Sequence, residues 1–283
     1  MHDPSAYCEA LVRAADKDRF LCSLFAPAAQ RGALHALYAF NLEIARVREN
    51  IHEPLAGEIR LQWWSDAIAG NATGEVAANP VAAAVLAVVE RYRLPAELLT
   101  GLIAARRFDL YDDPMGTLAD FDNYAGASSS AVIELAARIL GGGEMPDLRP
   151  LAFHAGLGHA IAGLLQALPV HAARGQLFVP QEILERHGAG PQDVAAKDAS
   201  APLRAALAEM RGLARAHLTQ AGRLATGLPV TGLPALLPVA LVRPMLDRME
   251  RADYDPFRAP ELPQWRRQWL LWRAARRPSR IFA

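Results

Sequence analysis

Apolar residues recur at steps of three and four along most of the chain, the spacing that places them on one face of an α-helix. Alternating runs of β-branched residues, which would indicate strands, are scarce. The stretch ALYAFNLEIARVRENIHEP is one example, and its apolar stripe consists of Ala36, Leu37, Phe40, Ile44 and Val47. The pattern therefore predicts an all-α protein.

Proline and glycine residues divide this helical pattern into segments. We predict one helix from about residue 27 towards residue 50. Residues 118–140 are predicted to form one long helix that is ended by Gly141, Gly142 and Gly143. Another helix is expected to begin at residue 150 and to reach residue 168, because Pro169 lacks the amide hydrogen that a helix interior needs.

The composition limits the class of protein. No long polar linker and no repeat of fixed length divides the chain, so we predict a single all-α domain over residues 1–283. The chain carries 30 basic and 30 acidic residues, a balance that argues against a nucleic-acid partner. Cys8 and Cys22 are the only cysteines, too few for a disulfide scaffold or a four-cysteine zinc site. The expected compartment is therefore a reducing one.

The sequence also bears on location. The N-terminus has no apolar signal region, and the apolar stretch LPALLPVALVRPML is broken by prolines and is too short to span a bilayer. We therefore expect a cytoplasmic protein, with at most a weak peripheral contact to the cytoplasmic face of the inner membrane. Near the end of the chain, Trp265, Trp269 and Trp272 share one helical face among several arginines. This helix could lie in a membrane interface; we favour a helix whose tryptophans pack inwards.

Two groups of carboxylates could bind a metal ion, but simpler explanations exist for both. Asp109, Asp112 and Asp113 are followed at once by a proline that ends the helix, so we predict a solvated helix terminus. Glu49 and Glu53 lie beside arginines, and we predict ion pairing at a helix end there. Neither group is predicted to be a metal site.

Other candidate motifs are weaker. His154 and His159 are five residues apart, which places them on different faces of a helix and makes a shared metal ion an unfavourable interpretation. The serines at 128–130 lack the G-x-S-x-G pattern of a hydrolase nucleophile. The sequence has no Walker A or G-x-G-x-x-G pattern. These residues therefore predict no catalytic site.

Several stretches resemble the squalene/phytoene synthase family of head-to-head prenyltransferases. They occur in the family's order and are DRFLCSLFAP, RGALHALYAF, LQWWSDAI, FDLYDDPMGTLADFDNYAGASSSAVIELAARIL and RGQLFVP. The resemblance implies an all-α, single-domain bundle of the isoprenoid-synthase type. In that family, two aspartate-rich motifs hold Mg²⁺ ions that bind the substrate diphosphate, because Mg²⁺ prefers carboxylate oxygens.

The resemblance implies that these motifs are missing here. It places the four aspartate positions on Ala45, Glu49, Ala167 and His171. Only Glu49 is a carboxylate, and one carboxylate cannot hold two or three Mg²⁺ ions. We therefore predict no catalytic residues, no metal site and no cofactor.

The replacements themselves resemble a non-catalytic branch of the family, the complex I assembly factor 6 type. The matching residues are Asn41, Glu43, Arg46, Arg48, Glu49, Glu53, Pro54, Arg60, Pro169, His171, Arg174, Gly175 and Pro180. Gln166 departs from an arginine that is common in that branch. We expect Arg46, Arg48, Glu49 and Glu53 to be structural or partner-binding residues. The resemblance implies nine cavity or former diphosphate-site positions: Asn41, Ala45, Arg46, Arg48, Glu49, Gln166, Ala167, His171 and Arg174.

Three functions remain open at this stage. The resemblance favours a non-catalytic factor in the assembly of respiratory complex I, NADH:ubiquinone oxidoreductase, with a complex I subunit or another assembly protein as its partner. One alternative is an active squalene- or phytoene-type prenyltransferase, which would use Mg²⁺. The other is a binding module that keeps a cavity for a prenyl or other lipid.

Overall fold

The computed structural model describes residues 3–51, 53–72, 74–142, 147–226 and 230–283. Within these residues the regular secondary structure is helical and contains no strand, which confirms the all-α prediction. The α-helices are α1 (Pro4–Ala15), α2 (Lys17–Ser23), α3 (Ala28–Ala45), α4 (Pro54–Ala69), α5 (Pro80–Tyr92), α6 (Ala96–Ala105), α7 (Leu118–Ala125), α8 (Ala131–Leu140), α9 (Arg149–Ala173), α10 (Gln181–Arg186), α11 (Pro191–Ala195), α12 (Ala201–Leu224), α13 (Leu233–Leu236), α14 (Val242–Met249) and α15 (Gln264–Arg276).

The chain forms two compact units, and each is assembled from separate segments. The first unit consists of Met1–Leu110, Ala131–Arg149 and Gly227–Pro238. The second consists of Tyr111–Ser130, Pro150–Thr226 and Val239–Ala283. Because the two units alternate along the sequence, no single linker divides the chain, and the single-domain assignment stays a prediction.

The core of the first unit contains the apolar stripe of α3. All five predicted stripe residues are at most 2% exposed, so this prediction is confirmed. Phe40 meets Trp64 of α4 edge to face, with ring centroids 5.2 Å apart. Trp64 is 1% exposed, and its replacement by alanine is expected to cost about 3–5 kcal/mol of stability.

Helix α3 ends earlier than predicted. It stops at Ala45, and a 3₁₀ turn follows at Arg48–Asn50. The carbonyl oxygen of Arg46 accepts hydrogen bonds from the amide of Glu49 and from the side-chain amide of Asn50, both at 3.0 Å. Because the Asn50 backbone amide instead donates to Val47, the i to i−4 ladder of an α-helix is not continued. The predicted extension towards residue 50 was therefore wrong.

Helix α9 of the second unit is longer than predicted. It continues through Pro169 to Ala173, so the predicted end at residue 168 was wrong. Pro169 removes one backbone donor only four residues before Ala173, the C-terminal bound of the helix, and the helix continues past it. By length and apolar composition α9 could cross a membrane, but 61% of the relevant window is buried in the fold.

The helix predicted over residues 118–140 is built from three consecutive pieces. A π-helical stretch at Gly126–Ser130 lies between the segments assigned to α7 and α8. In the second unit, Gly156 of α9 lies so close to Ser130 that a Cβ atom there would be 2.6 Å from the Ser130 amide nitrogen. Gly143, one of the glycines predicted to end this helix, lies outside the described residues.

The tryptophans of α15 face outwards. Trp265, Trp269 and Trp272 are 70%, 47% and 48% exposed, so the prediction that they pack inwards was wrong. The helix instead buries Leu271 and Ala274, which lie on the opposite side.

Candidate functional site

The nine former diphosphate-site positions form two groups that lie in different compact units. We name residues 41–53, which end α3 and lead to α4, the first motif segment. We name residues 166–176, which end α9 and begin the following loop, the second motif segment.

Along the first motif segment, the residues change from buried to exposed within three helical turns. Asn41 is 6% exposed within the core stripe, whereas Ala45 and Arg46 are half-buried where α3 ends. Arg48 is half-buried and Glu49 is exposed on the 3₁₀ turn. Glu49, the one carboxylate among the four aspartate positions that the resemblance implies, is therefore carried by a surface turn and not by the helix.

Glu43 of α3 forms an ion pair with Arg60 of α4 at this segment. Arg60 Nη2 lies 3.3 Å from Glu43 Oε2, and the two side chains are 48% and 23% exposed. The predicted pairing of Glu49 and Glu53 with nearby arginines stays a prediction. The Glu43–Arg60 pair links the end of α3 to the face of the next helix.

One turn further along α4 is a surface pocket that the sequence analysis missed. Its volume is about 460 Å³, and its lining residues are Glu58, Ile59, Gln62, Trp63, Asp66, Ala72 and Arg107. Arg107 donates to Gln62 Oε1 at 2.9 Å and lies 3.1 Å from Glu58 Oε2. Ile59 is 64% exposed beside these polar groups. The repeat of Ile59 and Trp63 at i and i+4 was the sequence signal for it.

Asp109 belongs to a buried ion pair in the first unit, which corrects the prediction that it lies at a solvated helix terminus. It is 9% exposed, and its Oδ2 lies 3.2 Å from Arg106 Nη1. Asp112 and Asp113 are exposed, as predicted. The sequence could not show that Asp109 is buried and that Asp112 and Asp113 are exposed, because all three follow the same run of helical residues.

The second motif segment packs His171 against an aromatic side chain. The His171 ring centroid lies 4.6 Å from that of Phe178, which in turn lies 5.7 Å from Tyr124. Burial, and to a smaller extent the Arg174 guanidinium, lowers the pKa of His171 to about 4. The imidazole is therefore neutral at pH 7 and belongs to an aromatic cluster.

The turn after His171 is held by backbone hydrogen bonds. The His171 carbonyl accepts from the amides of Arg174 and Gln176, both at 2.9 Å. Gly175 has φ +74°, the left-handed conformation that ends many helices and favours glycine. Gln166 and Ala167 are half-buried, and the Arg174 side chain is exposed. The second motif segment therefore forms a well-defined helix end.

Two histidines of α9 contact different partners, in line with their spacing. His154 Nδ1 lies 2.9 Å from His217 Nδ1 of α12, and burial lowers the pKa of both rings. His159 Nδ1 lies 3.4 Å from the Ser129 hydroxyl. Among the residues that the structure describes, no group of three or more His, Cys, Asp or Glu side chains could hold a metal ion.

The side chains at the four aspartate positions do not fit Mg²⁺. Ala45 and Ala167 offer no donor atom, and His171 offers nitrogen on a ring that is packed against Phe178. Mg²⁺ prefers an octahedral set of oxygen ligands, of which only Glu49 could supply any. These four side chains therefore support no chemical step that uses a metal ion.

Comparison with known proteins supports the family resemblance. A family model described as "Squalene/phytoene synthase" matches residues 12–273. A human protein named "NADH dehydrogenase (ubiquinone) complex I, assembly factor 6" is 30% identical over 260 residues, which cover 91% of this chain and 77% of that protein. A phytoene synthase from Thermus thermophilus is 28% identical over 200 residues, which cover 68% of this chain and 67% of the enzyme.

Solved structures show the same fold. A squalene synthase from Alicyclobacillus acidocaldarius superposes with a TM-score of 0.77 at 24% identity, covering 90% of this chain and 95% of that one. At this level of identity the similarity establishes the isoprenoid-synthase-type fold and leaves the chemistry to be argued from the site.

Proposed function

The chain belongs to the squalene/phytoene synthase family, and we propose that it is a non-catalytic member that acts in the assembly of respiratory complex I. The observation that carries this proposal is the set of residues at the four metal-ligand positions. Three of them, Ala45, Ala167 and His171, have no carboxylate.

The chemistry of the family explains why this loss matters. Ionisation of an allylic diphosphate produces a highly charged leaving group, which Mg²⁺ ions neutralise in the transition state. Removal of even one well-placed electrostatic stabiliser costs roughly a hundredfold to a thousandfold in rate. A site in which only Glu49 can contribute an oxygen ligand is therefore expected to have no measurable prenyltransferase activity.

The relatives support the assembly role over the enzymatic one. The human assembly factor is 30% identical over 260 residues, whereas the phytoene synthase from Thermus thermophilus is 28% identical over 200 residues and a 15-cis-phytoene synthase from Synechococcus elongatus is 24% identical over 279 residues. The proposal assigns the protein no cofactor and a cytoplasmic location, with a complex I subunit or another assembly protein as its partner. The exposed pocket on α4, with Ile59 beside the Glu58–Arg107 ion pair, is a surface suited to such a protein partner.

The first experiment tests catalysis directly. The purified chain is incubated with farnesyl or geranylgeranyl diphosphate and Mg²⁺, and pyrophosphate release and extracted products are measured. The phytoene synthase from Thermus thermophilus is the positive control. We expect no Mg²⁺-dependent release above the protein-free rate. Sustained release with a prenyl product would establish the enzyme alternative, and calorimetric binding of the diphosphates without turnover would favour the lipid-binding one.

The second experiment tests the assembly role in cells. Deletion of the gene in its own organism is expected to reduce the amount of assembled complex I on native gels, and a plasmid copy is expected to restore it. Succinate dehydrogenase, measured in the same membranes, is the control for a general respiratory defect. Unchanged complex I in the deletion strain would contradict the assembly role even if the chain has no prenyltransferase activity.

A further inference from the structure

Helix α15 carries three indole rings on its solvent side. Trp265, Trp269 and Trp272 are spaced by four and three residues, so they form one continuous stripe, which we name the tryptophan face. Exposed apolar residues are normal when they are scattered singly, but a contiguous group marks an interaction surface. Because Leu271 and Ala274 already anchor the helix on its opposite side, the indoles are not needed to hold α15 in place.

The same segment concentrates positive charge. Residues 262–283 contain six arginines and no aspartate or glutamate, although the whole chain has a net charge of zero. Two of these arginines lie directly over the tryptophan face. The Arg273 guanidinium is 4.9 Å from the Trp269 ring centroid, and that of Arg276 is 4.9 Å from the Trp272 ring centroid. The surface thus alternates aromatic rings with cations.

We propose that the tryptophan face of α15 is a docking surface for an anionic lipid bilayer. Indole rings favour the zone between headgroups and acyl chains, and arginines near an anionic leaflet are attracted to its phosphates. The 13-residue helix is roughly 20 Å long, which is too short to cross a bilayer but suits a helix that lies in the plane of the interface.

The geometry favours lipid over nucleic acid as the occupant. Single-stranded nucleic acid binds to aromatic side chains by stacking on their faces. Here Arg273 and Arg276 each cover one face of an indole ring, so that face is not open for a base to stack on. Insertion into a lipid interface instead uses the exposed edges of the rings together with the cations. The docking surface is independent of the proposed function, because it requires neither catalysis nor complex I.

The test is co-sedimentation of the full chain with vesicles, at low and high salt. One set of vesicles contains phosphatidylglycerol and phosphatidylcholine in equal amounts, and the other contains phosphatidylcholine alone. Binding is expected to the anionic vesicles at low salt and to decrease steeply at high salt, because counterions screen the arginines. The Trp265→Ala/Trp269→Ala/Trp272→Ala variant is expected to bind about tenfold more weakly, since it loses three exposed apolar side chains.

A matched control removes three exposed apolar side chains from the first unit, Tyr7→Ala/Phe25→Ala/Leu55→Ala, whose positions are 42%, 41% and 70% exposed. This control is expected to bind as the unchanged chain does. Surface variants are preferable to truncation, because Ile281 and Phe282 are buried and the Phe282 carbonyl accepts a hydrogen bond from Arg243. Thermal melting of each variant shows that it is folded.

A second readout locates the contact. Lipids brominated in the acyl chains quench nearby tryptophans, and α15 carries three of the five tryptophans of the chain. Quenching is expected in the unchanged chain and is expected to be lost in the triple tryptophan variant, which keeps Trp63 and Trp64. Four results would overturn the proposal: no anionic-vesicle binding at low salt, equal binding to neutral vesicles, equal loss in both triple variants, or retention on single-stranded nucleic acid without vesicle binding.

Discussion

The two motif segments, which the resemblance places at the family's metal-binding motifs, have different structures. In the first, α3 stops at Ala45 and the remaining carboxylate, Glu49, is exposed on a 3₁₀ turn. In the second, α9 continues past Pro169, and His171 is packed against Phe178. The first segment thus ends in an exposed turn, whereas the second packs a half-buried histidine ring against an aromatic side chain.

This difference separates two roles that a former active site can take. A surface turn with exposed polar side chains can bind a partner while its residues vary at little cost in stability. A buried aromatic cluster stabilises the fold, and changes there are expected to lower stability before they affect any partner. We therefore expect large stability effects at the second motif segment and small ones at the first.

The largest difference in stability is expected between alanine substitutions at two helical glycines. A Cβ atom at Gly156 of α9 would be 2.5 Å from the Ser130 Cα, which is backbone and cannot move away easily. A Cβ atom at Gly57 of α4 would be 2.5 Å from Leu110 Cδ2, the end of a flexible side chain. Gly156→Ala is expected to lower the free energy of unfolding by about 3 kcal/mol or more and Gly57→Ala by about 1 kcal/mol.

Urea denaturation, followed by circular dichroism, measures both free energies. Equal losses in the two variants would show that α9 is no more tightly constrained at Gly156 than α4 is at Gly57. The m-value should stay unchanged, which confirms that the native state has the same compactness.

The next effect is a dependence of stability on pH. His171 has a folded-state pKa of about 4, below its unfolded value of 6.5, so the unfolded chain binds the proton more strongly between these values. The stabilisation by neutral His171 is therefore complete above pH 6.5 and is lost as the pH falls towards 4. The loss is expected to be on the order of 2–3 kcal/mol.

Denaturation at several pH values tests this expectation. His171→Asn is expected to reduce the decrease in stability between pH 6.5 and 4, although part of it should remain because burial also lowers the pKa of His35, His154 and His217. Glu49→Gln in the first motif segment is the matched variant, and its unfolding free energy at pH 7 is expected to change by no more than about 0.5 kcal/mol. An unaltered pH profile in His171→Asn would contradict the neutral, half-buried state of this ring.

The sequence predicted the buried side of α3 correctly, but it did not predict the C-terminal ends of α3 and α9. The buried stripe could be predicted from periodicity alone, because the spacing of apolar residues within one helix shows which face is buried. The end at Ala45 depends on the Asn50 side chain reaching the Arg46 carbonyl, and the continuation past Pro169 depends on packing of the last turn. The first is a side-chain contact between residues four apart, and the second is a ring contact of His171 with Phe178; helical periodicity shows neither of them.

Helix α15 shows a second limit of periodicity. Its tryptophans form one apolar stripe, and Leu271 and Ala274 form another on the opposite side. A pattern with two apolar faces does not show which one packs inwards. The same limit applies to the candidate site, because the resemblance named the positions but could not show that Glu49 is exposed and that His171 is half-buried against Phe178.

A smaller difference is expected between the caps that end the two helices. Gly175 has φ +74°, so Gly175→Ala places a Cβ atom in the left-handed region and is expected to cost about 1–2 kcal/mol. Asn50→Ala removes one exposed hydrogen bond to the Arg46 carbonyl and is expected to cost about 0.5–1 kcal/mol. Thermal melting at pH 7 ranks the two variants, and a greater loss in Asn50→Ala would reverse the expected order.

The smallest stability effect is expected for the ion pair between Glu43 and Arg60. Both side chains are partly exposed, and their 3.3 Å separation does not make the two-bond contact that strengthens such pairs. A double-mutant cycle with Glu43→Gln and Arg60→Gln is therefore expected to give a coupling free energy of about 0.2–0.5 kcal/mol. A value above about 1 kcal/mol would mean that the first motif segment is held as firmly as a partly buried network.

The same two variants connect this small energy to function. If the first motif segment is a partner-binding surface, Glu43→Gln and Arg60→Gln should restore less complex I than the unchanged plasmid copy in the deletion strain, even though both proteins stay folded. Arg13→Gln, which removes an exposed ion pair with Glu9 on α1, is the matched control and is expected to restore complex I fully. Full restoration by all three variants would leave the Glu43–Arg60 pair with neither a stability role nor a binding role, and the partner surface would then have to lie elsewhere on the chain.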